Sequence, residues 1–167
     1  KPYAYDCFPE LTPPTGTPGT LPTGPKWLQW PSKDHSPISQ CFNAPGNHPH
    51  AGLDFVAVPN DGAPIYAGAV GTVVKVGHTN VDFGHFVIIK HANGFSTIYG
   101  HLQPNIQVHE GQVINDLTTV LGYQDSTGSS TGNHVHFGLS TGSAESDFWW
   151  SGQVSDPCAA MVNCSCP

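Results

Sequence analysis

His134-Val135-His136-Phe137-Gly138-Leu139 reads as one β-strand, because apolar Val135, Phe137 and Leu139 alternate with His134, His136 and Gly138. Side chains alternate between the two faces of a strand, so the apolar set points into a core and the two histidines share the opposite face. Outward from here the chain repeats the same pattern of short β-branched or aromatic runs between glycine-rich turns. Phe86–Lys90 and Ser96–Tyr99 flank Ala92-Asn93-Gly94, a hairpin signal because Asn and Gly tolerate positive φ. Residues 64–76 are β-branched and broken by glycine, which predicts twisted strands with a bulge or bend. Val113-Ile114 and Thr118 to Gly122 predict another pair of short strands. Leu53 and Phe55 share one side of their strand and send Asp54 to the other. The expected fold is all-β, built on an antiparallel sheet.

The composition agrees. The 167 residues include nineteen glycines and sixteen prolines, and charged residues make up only 10%, against ~25% in ordinary domains. That favours turns and short strands over long helices, and the length suits one domain. Residues 9–25 (PELTPPTGTPGTLPTGP) have no hydrophobic period, so residues 1–26 are expected to form an extended tail or linker. The domain then runs over 27–167, starting at Trp27-Leu28-Gln29-Trp30, with its motif-bearing core at about 30–140. The residues after 150 look irregular.

A net charge of −7 without basic clusters argues against nucleic acid as a partner, and no apolar stretch suits a membrane-spanning helix. No apolar leader precedes Lys1, so the chain reads as a mature or excised form. Cys7, Cys41, Cys158, Cys164 and Cys166 lack metal-type CxxC spacing and cluster toward the ends, as disulfides of a secreted protein would. Cys7 and the C-terminal cysteines are expected to tether both ends, with at most two internal bridges. A zinc–thiolate site at Cys164-Ser165-Cys166 is the rival reading. Asn163-Cys164-Ser165 also matches a glycosylation sequon.

Ten histidines are present, and the sharpest constellation is His50-Ala51-Gly52-Leu53-Asp54 together with His134-Val135-His136. Two imidazoles and a carboxylate offer three of zinc's four tetrahedral positions, leaving the fourth for water, as in catalytic sites. An HxxxD or an HxH alone is ordinary; their conjunction with Tyr99-Gly100-His101-Leu102 and a Ser/Thr/Gly run before the second is specific. His109-Glu110 begins like the HExxH of helical metalloproteases but continues to Val113 and reads as a turn. His35, His48, His78, His85 and His109 have no motif around them and read as surface or loop residues.

In these motifs the sequence resembles the lysostaphin/LytM-type zinc endopeptidases of peptidoglycan, metallopeptidase family 23. Their pattern of HxGxD, Y-x-H-L and STG-x-H-x-HF stands here as His50–Asp54, Tyr99–Leu102 and Ser130-Thr131-Gly132-Asn133-His134-Val135-His136-Phe137, in order, over about Trp30 to Leu139. The resemblance implies a sheet forming a narrow groove with one zinc on its floor. His50, Asp54 and His136 would be the metal ligands, and His101 and His134 the unliganded catalytic histidines. It gives His91 a structural hydrogen-bonding role. It further implies a secreted, monomeric peptidase cutting peptide cross-links or stem peptides of bacterial cell walls. Two other readings are a binding module using the same groove without catalysis and a zinc D-Ala-D-Ala carboxypeptidase or dipeptidase. The latter needs a glutamate base, and residues 117–135 contain none.

Three departures from the pattern stand out. Gly138 replaces a frequent glutamate; residues 40–49 offer Phe42 but no tyrosine; and the turn Tyr123–Gly128 is longer than usual. Alkylation of the non-reduced protein should label no more than one cysteine by mass spectrometry; three or more labelled thiols would exclude a disulfide-tethered chain.

Overall fold

The computed structural model describes residues 26–44, 49–149 and 153–167. Cys7, His48 and the proline-rich segment 9–25 lie outside them, so the tether expected at Cys7 falls there too. The described residues form nine strands: β1 (Leu53–Phe55), β2 (Pro64–Tyr66), β3 (Gly71–His78), β4 (His85–Lys90), β5 (Ser96–Leu102), β6 (Val113–Ile114), β7 (Val120–Tyr123), β8 (Val135–Ser140) and β9 (Val154–Ser155). Seven form one antiparallel sheet in the order β1-β8-β5-β4-β3-β6, with β9 beside β8 beyond the end of β1. β2 and β7 form a separate ribbon.

The expected period of two is visible in the packing. Val135, Phe137 and Leu139 of β8, with Leu53 and Phe55 of β1, are fully buried in the main core, where Ile65 and Leu121 of the β2–β7 ribbon also lie. Trp27, Leu28 and Trp30 belong to the same core. A smaller cluster of Phe83, Phe86, Ile88, Ile98 and Phe148 is separate from it. The Asn93-Gly94 hairpin joins β4 to β5, with Gly94 at φ 86°. The bend expected in 64–76 appears as the gap between β2 and β3 and a register shift at Val73–Lys75.

The two short strands expected at Val113-Ile114 and Thr118 to Gly122 form as β6 and β7, in different sheets: β6 extends the large sheet at β3, and β7 pairs with β2. Ile114 and Leu121 both enter the main core, so the link between them crosses from one sheet to the other. The C-terminal segment is more regular than expected. It carries β9 and one helical turn, α1 (Pro157–Ala160), with Pro157 in its first turn and the Asp156 side chain accepting the Cys158 N–H. Disulfides Cys41–Cys166 and Cys158–Cys164 staple this segment, which removes the zinc–thiolate reading of Cys164 and Cys166. A disulfide is typically worth roughly 2–4 kcal/mol, and more for a longer closed loop.

His91 takes the structural place the resemblance implied. A directed chain of hydrogen bonds crosses the core: Gly68 N–H donates to Tyr99 Oη, the Tyr99 hydroxyl to Thr97 Oγ1, Thr97 to His91 Nε2, and His91 Nδ1–H to the Val70 carbonyl. Each donor finds one acceptor, so these buried polar groups cost little and fix the 68–70 bend on the sheet. Burial pushes His91 down to about 4 and Tyr99 up to about 12, so both are neutral near pH 7. In the unfolded chain His91 takes a proton near its ordinary pKa of about 6.5. The unfolded state therefore binds more protons between the two values, and stability is present above about 6.5 and lost as pH falls toward 4. His91→Phe should flatten that acid slope in chemical denaturation. It should also lower stability at pH 7 by about 1–3 kcal/mol, since the Thr97 hydroxyl and the Val70 carbonyl lose their partner.

Candidate functional site

Antiparallel pairing of β1 with β8 sets Asp54 directly opposite His136. Their apolar neighbours fill the core, so the carboxylate and the imidazole meet on the other face of the sheet. His50 reaches them from the chain before β1. Its backbone carbonyl accepts from Asn43 N–H, and its Nδ1–H donates to the Cys41 carbonyl at 3.0 Å. A carbonyl can only accept, so Nδ1 carries a proton, and in the neutral ring the Nε2 lone pair faces inward.

Three atoms then form a nearly equilateral triangle. His50 Nε2 and Asp54 Oδ1 are 3.1 Å apart, His136 Nδ1 and Asp54 Oδ1 3.1 Å, and His50 Nε2 and His136 Nδ1 3.2 Å. A tetrahedral zinc with bonds of about 2.0–2.1 Å spaces its ligand atoms by roughly 3.3 Å, so the triangle matches one face of that tetrahedron. These three residues form a group that could hold a metal ion. Burial would raise the Asp54 pKa, but the imidazoles of His136 and His50 beside it override that and hold the carboxyl ionised, well below the usual carboxylate range. Burial likewise lowers His50, and the Asp54 carboxylate more than offsets it, so its pKa lies above the ordinary value.

His134 and His101 stand beside the triangle. His134 Nε2 lies 3.4 Å from Asp54 Oδ2, on the oxygen that faces away from the other two histidines, and its Nδ1 donates to the Gly132 carbonyl at 2.9 Å. His101 enters through a bulge. Opposite His85 to Val87 of β4, β5 runs from Leu102 to Tyr99, one residue more, and His101 takes φ 62°. Such a backbone is unfavourable for a non-glycine residue and swings His101 off the ladder. Its Nδ1–H donates to the Thr127 carbonyl at 2.7 Å, and its ring centroid is 4.5 Å from that of His134. Burial first, and the neighbouring His134 second, lower His101 to about 4, so its ring is neutral with Nε2 unprotonated.

All five residues line one groove of about 650 Å³, walled also by Gln40, Asp82, Phe83, Ser129, Phe148 and Trp149. No tyrosine is among its described lining residues. The long turn after Tyr123 contributes a wall. Gly128 (φ 76°) sits against Gly84 and Asp82, and a Cβ there would come within 2.3 Å of Gly84 N. Ser129 and Asp82 exchange hydrogen bonds across the same contact. At Gly138 a Cβ would lie 2.8 Å from Ile98 Cγ2, which excludes the glutamate expected by resemblance without local movement.

The other described histidines stay apart from the groove. His109 is exposed before a turn, as expected of the decoy motif. His78 and His85 are neighbours on β3 and β4 with rings stacked at 4.0 Å. His35 is more than a surface residue, since its ring stacks on Trp30 at 3.6 Å and meets Phe55 edge-on. Sequence reading missed the carbonyls of Cys41 and Thr127, which hold His50 and His101. A backbone carbonyl contributed from a distant segment leaves no residue-type signal.

The model of peptidase family M23 matches residues 48–148, which contain every residue of this constellation. The chain belongs to that family. Over 88 residues it is 40% identical to a DD-carboxypeptidase/endopeptidase Mpg of Neisseria meningitidis, an alignment covering 53% of this chain and 19% of that protein. The chain thus spans about a fifth of that relative's length. Among solved structures it resembles a zinc-containing peptidase from Vibrio cholerae, with TM-score 0.61 and 28% identity over 77% of this chain and 38% of that one. It also resembles the catalytic domain of lysostaphin from Staphylococcus simulans, with TM-score 0.61 and 25% identity over 74% of this chain and 96% of that one.

Within this M23 domain, Gly52 explains a fixed feature of the first motif. A Cβ there would lie 2.6 Å from His136 Nε2 and 2.7 Å from the Phe137 carbonyl oxygen, so only glycine lets the imidazole reach the triangle. Gly52→Ala should therefore push His136 out of position. Metal analysis should show zinc content falling well below wild type while far-UV circular dichroism is retained; full zinc occupancy would contradict the packing argument.

Proposed function

We propose that this M23 peptidase is a secreted zinc metalloendopeptidase that hydrolyses peptide cross-links or stem peptides of bacterial peptidoglycan. The observation that carries the reading is the near-equilateral His50–Asp54–His136 triangle beside His101 and His134 in one groove. In this reading His50 Nε2, Asp54 Oδ1 and His136 Nδ1 hold one zinc per chain. The donor set fits: neutral nitrogens and a hard carboxylate oxygen suit zinc, and the tautomer of His50 is already fixed with its lone pair inward. When bound, the metal supplies a Lewis acid that polarises a peptide carbonyl and makes water nucleophilic near neutral pH.

The chain's own residues do the proton work. His101 and His134 each donate Nδ1–H to a backbone carbonyl, which leaves both Nε2 atoms as proton acceptors at the groove. A protonated imidazole formed there becomes the donor to the leaving amine. Among the described lining residues there is no glutamate to compete for that role. Because His101 is buried and neutral down to about 4, it is ready as an acceptor across the whole neutral range. The Thr127 carbonyl and the β5 bulge hold it in place before substrate arrives.

An open groove with a sheet floor suits an extended peptide with small side chains, such as a glycine bridge or a D-alanine-containing stem. The relative named as both DD-carboxypeptidase and endopeptidase makes the D-alanine bond a specific candidate beside the cross-link. Digestion of purified peptidoglycan followed by mass spectrometry of the fragments distinguishes the two. Release of free terminal D-alanine marks the carboxypeptidase bond, cleaved cross-links mark the endopeptidase, and no release at all marks a binding module.

Two sets of variants test the roles. Alanine at His50, Asp54 or His136 should strip the zinc, and tight zinc binding retained by all three would refute the ligand set. His101→Ala and His134→Ala should keep zinc and lose about 10²–10⁴-fold in turnover, the usual cost of lost general acid–base catalysis. Wild-type cleavage by the His134 variant would remove that residue from the chemistry, and loss of its zinc would make it a ligand.

A further inference from the structure

We infer that the Cys41–Cys166 disulfide is a positioning element for the metal ligands, tying the C-terminus of the chain to the orientation of His50. The inference rests on the zinc reading above for its consequence, although not for its geometry. Residues 39–44 lie along both the first ligand and the second. Gln40 pairs with Asp54 as a bridge, Ser39 donates to the Asp54 carbonyl through its N–H and its hydroxyl, and Asn43 donates to the His50 carbonyl. Within this strip the Cys41 carbonyl accepts the Nδ1–H of His50, which is what selects the tautomer with Nε2 facing Asp54 and His136.

The hydrogen bonds that Ser39, Gln40, Cys41 and Asn43 make with Asp54 and His50 run to the very residues that the strip orients, and Cys41 is half-buried rather than in the core. The link to Cys166 adds a covalent anchor at the residue whose carbonyl grips His50, 125 positions away in sequence. Cys166 is itself well held. Cys164 is bonded to Cys158, Trp30 Nε1 donates to the Asn163 carbonyl, and Val162 N–H donates to the Leu28 carbonyl. A line of fixed contacts therefore runs from the buried Trp27–Trp30 segment through the C-terminal turn and the disulfide to one imidazole. Partners that orient a metal-ligating histidine typically change metal affinity 10- to 100-fold when lost.

The test uses the full chain with Cys41→Ser and Cys166→Ser combined, so that no freed thiol can bind zinc. Zinc affinity is read by competition with a chromophoric chelator. The tautomer of the neutral His50 ring in metal-free protein is read from its imidazole ¹⁵N shifts, at a pH above the titration of that ring. The expected result is zinc affinity weakened 10- to 100-fold, faster zinc loss to the chelator, and a His50 ring that no longer holds its proton on Nδ1 alone. A purely structural bridge would lower the melting temperature and move neither readout. His91→Phe, which destabilises the core away from the site, is the control that should melt earlier with unchanged zinc affinity. Zinc affinity within twofold of wild type together with an unchanged His50 tautomer would overturn the inference. Should wild type itself bind no zinc, the metal reading falls while the tautomer readout still decides the positioning role. If the double variant does not fold, the same tautomer measurement is made on wild type after phosphine reduction of this bond. That reaction leaves two thiols and a phosphine oxide whose oxygen comes from water, and alkylation with mass analysis identifies the bond opened.

Discussion

The register that places Asp54 opposite His136 is the constraint on which the site rests. Strand side chains alternate with a period of two, so slipping β1 against β8 by one residue would bury the carboxylate and expose Phe55 or Leu53. Those two residues are fully buried with Val135 and Phe137, so the hydrophobic core enforces the register. Burying a Leu or Phe side chain is worth roughly 1.5–3 kcal/mol, and several act together here. Core packing thereby fixes the distance between two polar atoms on the far side of the sheet. Gly52 is the complement of the same constraint, an absence of side chain where the imidazole must lie.

Polar groups placed by that register are costly unless partnered, and the fold resolves this in two ways. Away from the groove, the Tyr99–Thr97–His91 chain is closed at both ends by backbone groups and is held neutral. In the groove, the Asp54 carboxylate is kept ionised by two imidazoles at 3.1 Å, with a third at 3.4 Å. His136 differs from its neighbours, since its Nε2 is buried with no hydrogen-bond partner while its Nδ1 faces Asp54. Its position therefore comes from the strand and from contact with Gly52 rather than from a carbonyl that grips its outer nitrogen. Rigidity is supplied by packing in one ligand and by hydrogen bonding in another.

Strand residues were legible in the sequence where an apolar period of two or an Asn-Gly turn imposed itself, as in β8 and the β4–β5 hairpin. The histidines and Asp54 were legible because their motifs combine strand alternation with ligand chemistry. Less local features were not. The pairing of β6 and β7 with different partners is decided by which side of one core each apolar residue enters, and five apolar residues carry no such address. The short strand β9 and the helical turn after Asp156 lie in a segment tied by disulfides whose partners spacing alone could not assign. His35 offered no motif, yet stacking on Trp30 makes it part of the packing beside β1.

The tautomers show most clearly where motif reading stops. His134 donates to Gly132, two residues before it, so the Ser130–His136 motif carries its own orienting partner. His101 donates to Thr127 and His50 to Cys41, partners 26 and 9 positions away. A motif written as residue types can contain the first arrangement but not the other two, because any residue offers a carbonyl. What makes those carbonyls available is the path of the backbone: a bulge that turns His101 toward the 124–128 turn, and a strip 39–44 laid along His50 and Asp54. Chemistry in this site is therefore encoded twice, once in side chains that alternate along strands and once in loops that aim backbone oxygens at them. Only the first code is visible before the chain is folded.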